Sequence, residues 1–461
     1  MDRRSLLLSA GSVGGLLGLG GYHQRRRLRR WDDRDALRTA RDRDRPTLDP
    51  ATTLTVSDDH LEAARADLSD LVEDVRDAWP DFDDQLDALP REVQRAQSQL
   101  ESAEDDLADA DDRLTDSDDL TPPERLQLLD EFRNGLRSAG QALALTQLER
   151  GERDVDDVVD ELEAAEAEYE AVAGAIDYYA DDLSWAVAAY GELDERLEDV
   201  RRAIGSGQRE LEQNHLNQRP NTDPDEESEW RRLQGLARAS SRVFAADAMC
   251  EDIERFEAQL HDDADTTTDA ADALEARYEA LEDEIETLTE EVDFSYGDGH
   301  AAYARDMWTP FEFDRSDGSD ERRRGRLALA VRLIAERYAV ARTLETFADT
   351  PSPRHLDTDD PLYSSFETTG EDVLEAARRA DDALENSLAA DGDHPLVHHL
   401  CTVVVEDRDW TDRRLERTLD DINEDSDEEW AIALERLRLG YLEVEAFVTE
   451  LPAVLEAIES E

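Results

Sequence analysis

The run VDDVVDELEAAEAEYEAVAGAIDYYADDLSWAVAAYGELDERLEDVRRAI, residues 155–204, carries the most regular pattern in the chain. Val155, Leu162, Tyr169, Ile176, Leu183, Tyr190, Leu197 and Ile204 fall at intervals of seven. Val158, Ala165, Val172, Tyr179, Ala186, Leu193 and Val200 occupy the positions three residues later. Every seam position is apolar, and acids and arginines fill the positions between. A seven-residue repeat held this long predicts one helix in a left-handed supercoil, about 75 Å long at 1.5 Å per residue. Its expected partners are the alanine-rich helix 91–115 and the helix 123–150, folded back as an antiparallel bundle. Self-association through the seam is the alternative.

Helical periodicity continues on both sides. Leu61, Leu68 and Val75, with Ala64, Leu71 and Ala78, mark a helix closed by Pro80. Val93, Leu100, Leu107 and Leu114 mark the next, and Thr121-Pro-Pro-Glu124 is a capping box with proline in the first turn. Beyond the seam, Gly205-Ser-Gly207 and the polar stretch with Pro220 and Pro224 predict a linker over 211–229. Amphipathic helices follow over 230–260, 274–292 and 366–388, then one starting at Pro395. A last stripe runs from Trp430 to Ile458 behind the capping box Ser426-Asp-Glu-Glu429, with Pro452 inside it. Residues 327–347 are apolar nearly all round, which predicts a central buried helix. The fold class is all-α: a long antiparallel coiled-coil or helical bundle over 58–210, then a second helical array over 230–461. Residues 23–57 read as a linker, basic and then of mixed charge, with a short helix around Ala36.

Charge sets the solvent. The 461 residues include 119 acids and 51 arginines, with no lysine, for a net charge of −68. Such a chain repels itself in dilute buffer, whereas at 1 M salt the Debye length is only ~3 Å. This composition resembles that of haloarchaeal proteins, which implies molar salt as the working solvent. Residues 1–45 hold 12 of the arginines and 6 of the acids, so the body carries 39 against 113, a net −74. That balance argues against nucleic acid as a partner.

The basic head contains the longest uncharged window, residues 5–24, directly behind Arg3 and Arg4. Arg3, Arg4, Leu6 and Leu7, followed by a Gly-rich apolar core, resemble a twin-arginine export signal within residues 1–22. This sequence departs from that pattern in lacking a small-x-small cleavage site before Tyr22. It also has five arginines (Arg25, Arg26, Arg27, Arg29 and Arg30) just after the core. Those arginines favour a cytoplasmic flank. An export signal, a membrane anchor through residues 5–21 with a cytoplasmic body, and a soluble tail therefore all stay open. The expected location is the cell surface or, for an anchor, the cytoplasmic face of the membrane.

Candidate chemistry is sparse. His394, His398 and His399 cluster beside Cys401, and the four-residue spacing of the first two suits a shared metal on one helix face. The competing reading is a helix start, capped near Asp393 or His394, that packs Leu396, Leu400 and Cys401 inside. Phe294, Tyr296, Tyr303, Trp308, Phe311 and Phe313 concentrate aromatics in one long connection, either as a contact loop or as the cap of an alanine-rich core. Cys250 and Cys401 lie on apolar stripes, as buried thiols or as a pair. Phosphate loops, Gly-x-Ser-x-Gly elbows and Cys-x-x-Cys pairs are missing from the sequence, and no cofactor is expected. The sequence reading is a non-enzymatic helical scaffold or protein-interaction protein, exported or membrane-tethered. Its partner would be another protein or a second copy bound through the coiled coil. The alternative is a metal- or small-ligand-binding helical domain that uses the histidine cluster and the aromatic loop.

Overall fold

A computed structural model describes residues 32–78, 91–115, 120–213, 226–264, 266–292, 303–310, 318–353, 367–392, 394–421 and 427–460. In chain order the helices are α1 (residues 32–41), α2 (Asp58–Ala78), α3 (Arg91–Thr115), α4 (Pro122–Glu149), α5 (Val155–Ala173), α6 (Leu183–Leu211) and α7 (Glu226–Ala264). Then come α8 (Ala271–Glu291), α9 (Tyr303–Thr309), α10 (Ser319–Arg323), α11 (Leu327–Phe347), α12 (Gly370–Asp391), α13 (Pro395–Asp421) and α14 (Asp427–Glu459). Among the described residues there is no β-strand, and an isolated bridge pairs Tyr179 with Asp269, so the fold is all-α as expected.

The chain forms two compact units. The N-terminal unit takes Pro50–Tyr278 and Gly318–Leu333, and the C-terminal unit takes the described part of Met1–Asp49 with Glu279–Asp317 and Ile334–Glu461. The polar stretch 211–229 therefore does not separate units. The helices before and after it, α6 and α7, pack on each other.

In the N-terminal unit α7, about 58 Å long, packs against α4, α5 and α6, while α2 and α3 pack on α4. The predicted continuous seam helix is two helices, about 29 and 44 Å long, separated by residues 174–182. Gly174 caps α5, and the Asp182 side chain accepts the N–H of Trp185 to start α6. α5 doubles back on the second half of α6, where Gln208 Nε2 donates to Glu166 Oε2 over 3.0 Å. The linking stretch runs extended beside the first half of α6, and the Tyr179 N–H donates to the Tyr190 hydroxyl at 3.1 Å. Its other edge pairs with residues 268–270 through Ala180 N–H to Thr268 O and Ala270 N–H to Tyr178 O. Leu162, Tyr190, Leu197 and Ile204 are buried as the repeat predicts, whereas Val155, Tyr169, Ile176 and Leu183 are half-buried. The repeat thus identifies the inward side of each piece, but the rod is replaced by a fold-back.

The C-terminal unit packs α12 and α13 on α14, which runs through Pro452. Residues 32–49, read from sequence as linker, belong to this core. Leu37 and Ala40 are fully buried. Asp33 accepts the Gly370 N–H at 2.7 Å and the Trp430 Nε1–H at 3.1 Å. A Cβ on Gly370 would lie 2.4 Å from the Asp33 carbonyl oxygen, so only glycine permits this contact. Arg43 then donates to Asp381 (2.5 Å) and Asp412 (3.1 Å), and its guanidinium lies 5.0 Å from the centre of the Tyr441 ring. Buried charges of both signs in direct contact hold the segment against α12, α13 and α14. α11 begins and ends where its apolar run does, and Leu344, Val331 and Ala335 are sealed.

Candidate functional site

α9 is buried beside a concavity of the C-terminal unit. The Tyr303 N–H donates to Thr350 O at 2.6 Å, its hydroxyl donates to Glu443 at 2.9 Å, and its ring stacks obliquely on Phe347. Asp306 accepts a hydrogen bond from the Ser352 hydroxyl. Trp308 is buried, with the Arg337 guanidinium 4.8 Å from its ring centre. Beside this clamped turn lies a cleft of about 610 Å³, whose apolar wall comes from Tyr303, Met307, Val340, Val404, Val444 and Phe447. Its charged wall carries Glu336, Glu406, Asp407, Asp409 and Glu443, with Arg413, Arg414 and Arg436. Arg436 donates to Pro353 O at 2.8 Å and so fixes one edge.

Trp410 stands on this cleft with 48% of its surface exposed. The Arg414 guanidinium lies 3.8 Å from its ring centre, a stacked cation–π pair. Nothing in the local pattern around Trp410 marks it, because α13 places acids and arginines on every side of it in sequence. Glu336 was equally silent, being one acid among many.

The structure scatters the histidines. His399 Nε2 lies 3.2 Å from Glu336 Oε1, His398 Nε2 lies 2.9 Å from the Asp49 carbonyl oxygen, and His394 Nδ1 accepts the Leu396 N–H at 3.3 Å. Helical spacing put the rings near one another in sequence, but each binds a different group. Only the His399 pair, through Glu336, reaches the cleft. Among the described residues no three His, Cys, Asp or Glu side chains are placed to hold a metal ion. Of the aromatic loop, Tyr303 and Trp308 are described and buried. Phe294, Tyr296, Phe311 and Phe313 lie outside the described residues, as do Arg3, Arg4, Leu6 and Leu7. Among the described residues no helix is long and apolar enough to cross a membrane.

Cys250 and Cys401 are both buried and unpaired. Burial pushes the Cys250 thiol up to about 12, helped by Glu168 and Asp247, and pushes that of Cys401 up to about 11. Neither is a ready nucleophile at neutral pH. Burial also lifts Asp247 to about 6, with Glu168 and Glu251 adding repulsion.

Residues 59–266 match a family described as "Domain of unknown function (DUF8262)", and residues 257–460 match another described as "Domain of unknown function (DUF8264)". No curated protein and no solved structure matches the chain.

Proposed function

We propose that this chain is a non-enzymatic helical scaffold that binds a protein partner through the C-terminal cleft, with Trp410 as the anchor. The supporting observation is the exposure of Trp410 itself. Among the described residues it is the only large apolar side chain open to solvent to that degree. A guanidinium-stacked tryptophan beside an apolar wall is the kind of group that dominates interface energies. Charge screening in molar salt leaves apolar and aromatic contact as the main source of affinity. The net charge of −68 supports a halophilic setting, and the Arg3-Arg4 head supports export, so the partner belongs at the cell surface. A small ligand in the same cleft is the second reading, because about 610 Å³ suits one and the Glu336–His399 pair borders it.

A photo-cross-linking residue in place of exposed Arg413, on the same cleft, leaves Trp410 intact and tests the contact in cells in native salt. A discrete adduct at this position, lost in Trp410→Ala and absent with the probe at exposed Glu62 on α2, is the expected result. No adduct at Arg413 from correctly folded protein, or an adduct unchanged in Trp410→Ala, would refute the proposal. Fractionation of an Arg3→Lys, Arg4→Lys double variant tests the address separately. Lysine keeps the charge, so retention inside the cell supports twin-arginine export, and unchanged distribution removes it.

A further inference from the structure

Where α5 ends, the N-terminal unit holds a second cleft, of about 540 Å³. Tyr169, Ala173 and Ile204 give it an apolar floor, and Arg201 and Arg324 stand on one wall. Glu166, bonded to Gln208, and Glu170 form the outer lip on the α5 side.

Gly205, which also lines this cleft, sits inside α6, where glycine is less favourable than alanine. Its neighbour Gly207 has a packing reason, since a Cβ there would lie 2.8 Å from a Leu162 methyl. Gly205 has none. A Cβ on it would meet nothing within 4 Å. What the missing side chain leaves is room in the cleft.

The wall chemistry is unusual for so acidic a chain. Four of the five residues 322–326 are arginine. Arg201, Arg324 and Arg326 all act on the Tyr169 hydroxyl, opposing the effect of burial on it. Two carboxylates hold these three guanidiniums. Glu198 pairs with Arg201 and with Arg326 (2.7 Å), and Glu321 pairs with Arg326 (2.6 Å) and Arg324 (3.2 Å). The two cleft arginines, Arg201 and Arg324, keep 39–40% of their side chains exposed. Molar salt removes long-range attraction, so such a wall selects an anion only by direct contact. Guanidinium forks are suited to that contact with carboxylate or phosphate.

We infer that this cleft binds a small amphipathic anion. Its apolar body would lie on Tyr169, Ala173 and Ile204, and its carboxylate or phosphate head on Arg201 and Arg324. The site lies in the other unit from the Trp410 cleft and does not depend on it.

The test titrates the full chain in molar KCl with benzoate and with phenyl phosphate, using benzyl alcohol and benzylamine as neutral and cationic counterparts. Calorimetry reads affinity, and thermal unfolding checks each variant. Saturable binding of at least one anion is expected, about tenfold or more tighter than either counterpart. The preferred anion then distinguishes a carboxylate head from a phosphate head. Gly205→Leu fills the cleft at a position where leucine favours the helix, and Gly205→Ala leaves most of it open. Binding should fall about tenfold or more in Gly205→Leu and in Arg324→Gln and survive in Gly205→Ala. If Gly205→Leu fails to fold, Arg324→Gln, altered at a part-exposed side chain, decides alone. No saturable anion binding, benzylamine binding as tightly as the anions, or anion binding unchanged by every folded cleft variant would each overturn the assignment.

Discussion

Asp194 and Asp252 are both sealed inside the N-terminal unit, on neighbouring helices, yet their surroundings drive them in opposite directions. Asp194, on α6, is fully buried beneath the start of α11. It accepts the Leu329 N–H at 3.0 Å and the Tyr178 hydroxyl at 3.1 Å, while Arg326 and Arg332 act on it by charge alone. Burial wins there, and the carboxyl is pushed up to about 7. Asp252, on α7, is gripped by the Arg133 fork at 2.8 and 2.5 Å, and His60 Nε2 lies 2.7 Å away. Burial is again the largest single influence, but Arg133 and His60 together outweigh it and hold this carboxyl below the usual range. Of these two acids, the one a guanidinium touches stays charged, and the one with only neutral donors approaches neutrality.

The largest expected effect comes from breaking the Asp252 side. Arg133→Met leaves a sealed carboxylate without its main partner and should cost about 3–5 kcal/mol, read from urea unfolding at constant molar KCl. Arg133→Met with Asp252→Leu should recover most of that loss, because no unpaired charge remains. Equal destabilisation in the single and double variants would show that shape, not charge, holds α4 on α7.

The two carboxyls should also bend the pH profile in opposite senses. Asp194 binds its proton more tightly folded than unfolded. Its contribution is greatest below about 4, falls as pH rises and is lost by about 7, a span of roughly 4 kcal/mol. Asp252 binds its proton less tightly when folded, so its contribution is present above about 4 and is lost as pH drops below that. Asp194→Asn, which keeps an acceptor for Leu329, should flatten the decline between about 4 and 7 and leave the acid limb in place. A decline that persists in Asp194→Asn would mean that another group, such as Asp247, produces it.

None of this was visible in the sequence. Asp194 and Asp252 are two of 119 acids, and Arg133 is one of 51 arginines, in a composition chosen for the surface. What periodicity reports is which side faces inward, and there the sequence was legible. α11 has the bounds of its apolar run, α13 begins at Pro395, and Thr121 makes the capping box with Glu124. The break at Gly174 escaped because Ile176 and Tyr179 keep the seven-residue spacing in sequence, whereas in the extended stretch the off-seam Tyr178 and Ala180 are the buried residues. Tyr303 and Trp308 of the aromatic loop lie on α9, and both are buried. Trp410 joined them only through the fold, and the three histidines share a sequence neighbourhood without sharing a site.

The smallest effect gives the sharpest test of the Asp194 environment. The Tyr178 hydroxyl bridges three groups: its one proton is within reach of both Asp194 (3.1 Å) and Gly325 O (3.0 Å), and its oxygen accepts the Leu327 N–H at 3.2 Å. Tyr178→Phe keeps the ring and should cost about 1–2 kcal/mol, the scale of buried polar groups left without a partner. Stability alone would not separate this loss from poorer packing. The pH profile does, because the hydroxyl's hydrogen bond is one of the influences holding Asp194 down. Without it the carboxyl should titrate above 7, and the decline in stability should extend to higher pH before it levels off. A Tyr178→Phe profile displaced downward but levelling at the wild-type pH would show that the hydroxyl supports the start of α11 without tuning Asp194. The contrast between the two aspartates would then rest on the guanidinium contact to Asp252 alone.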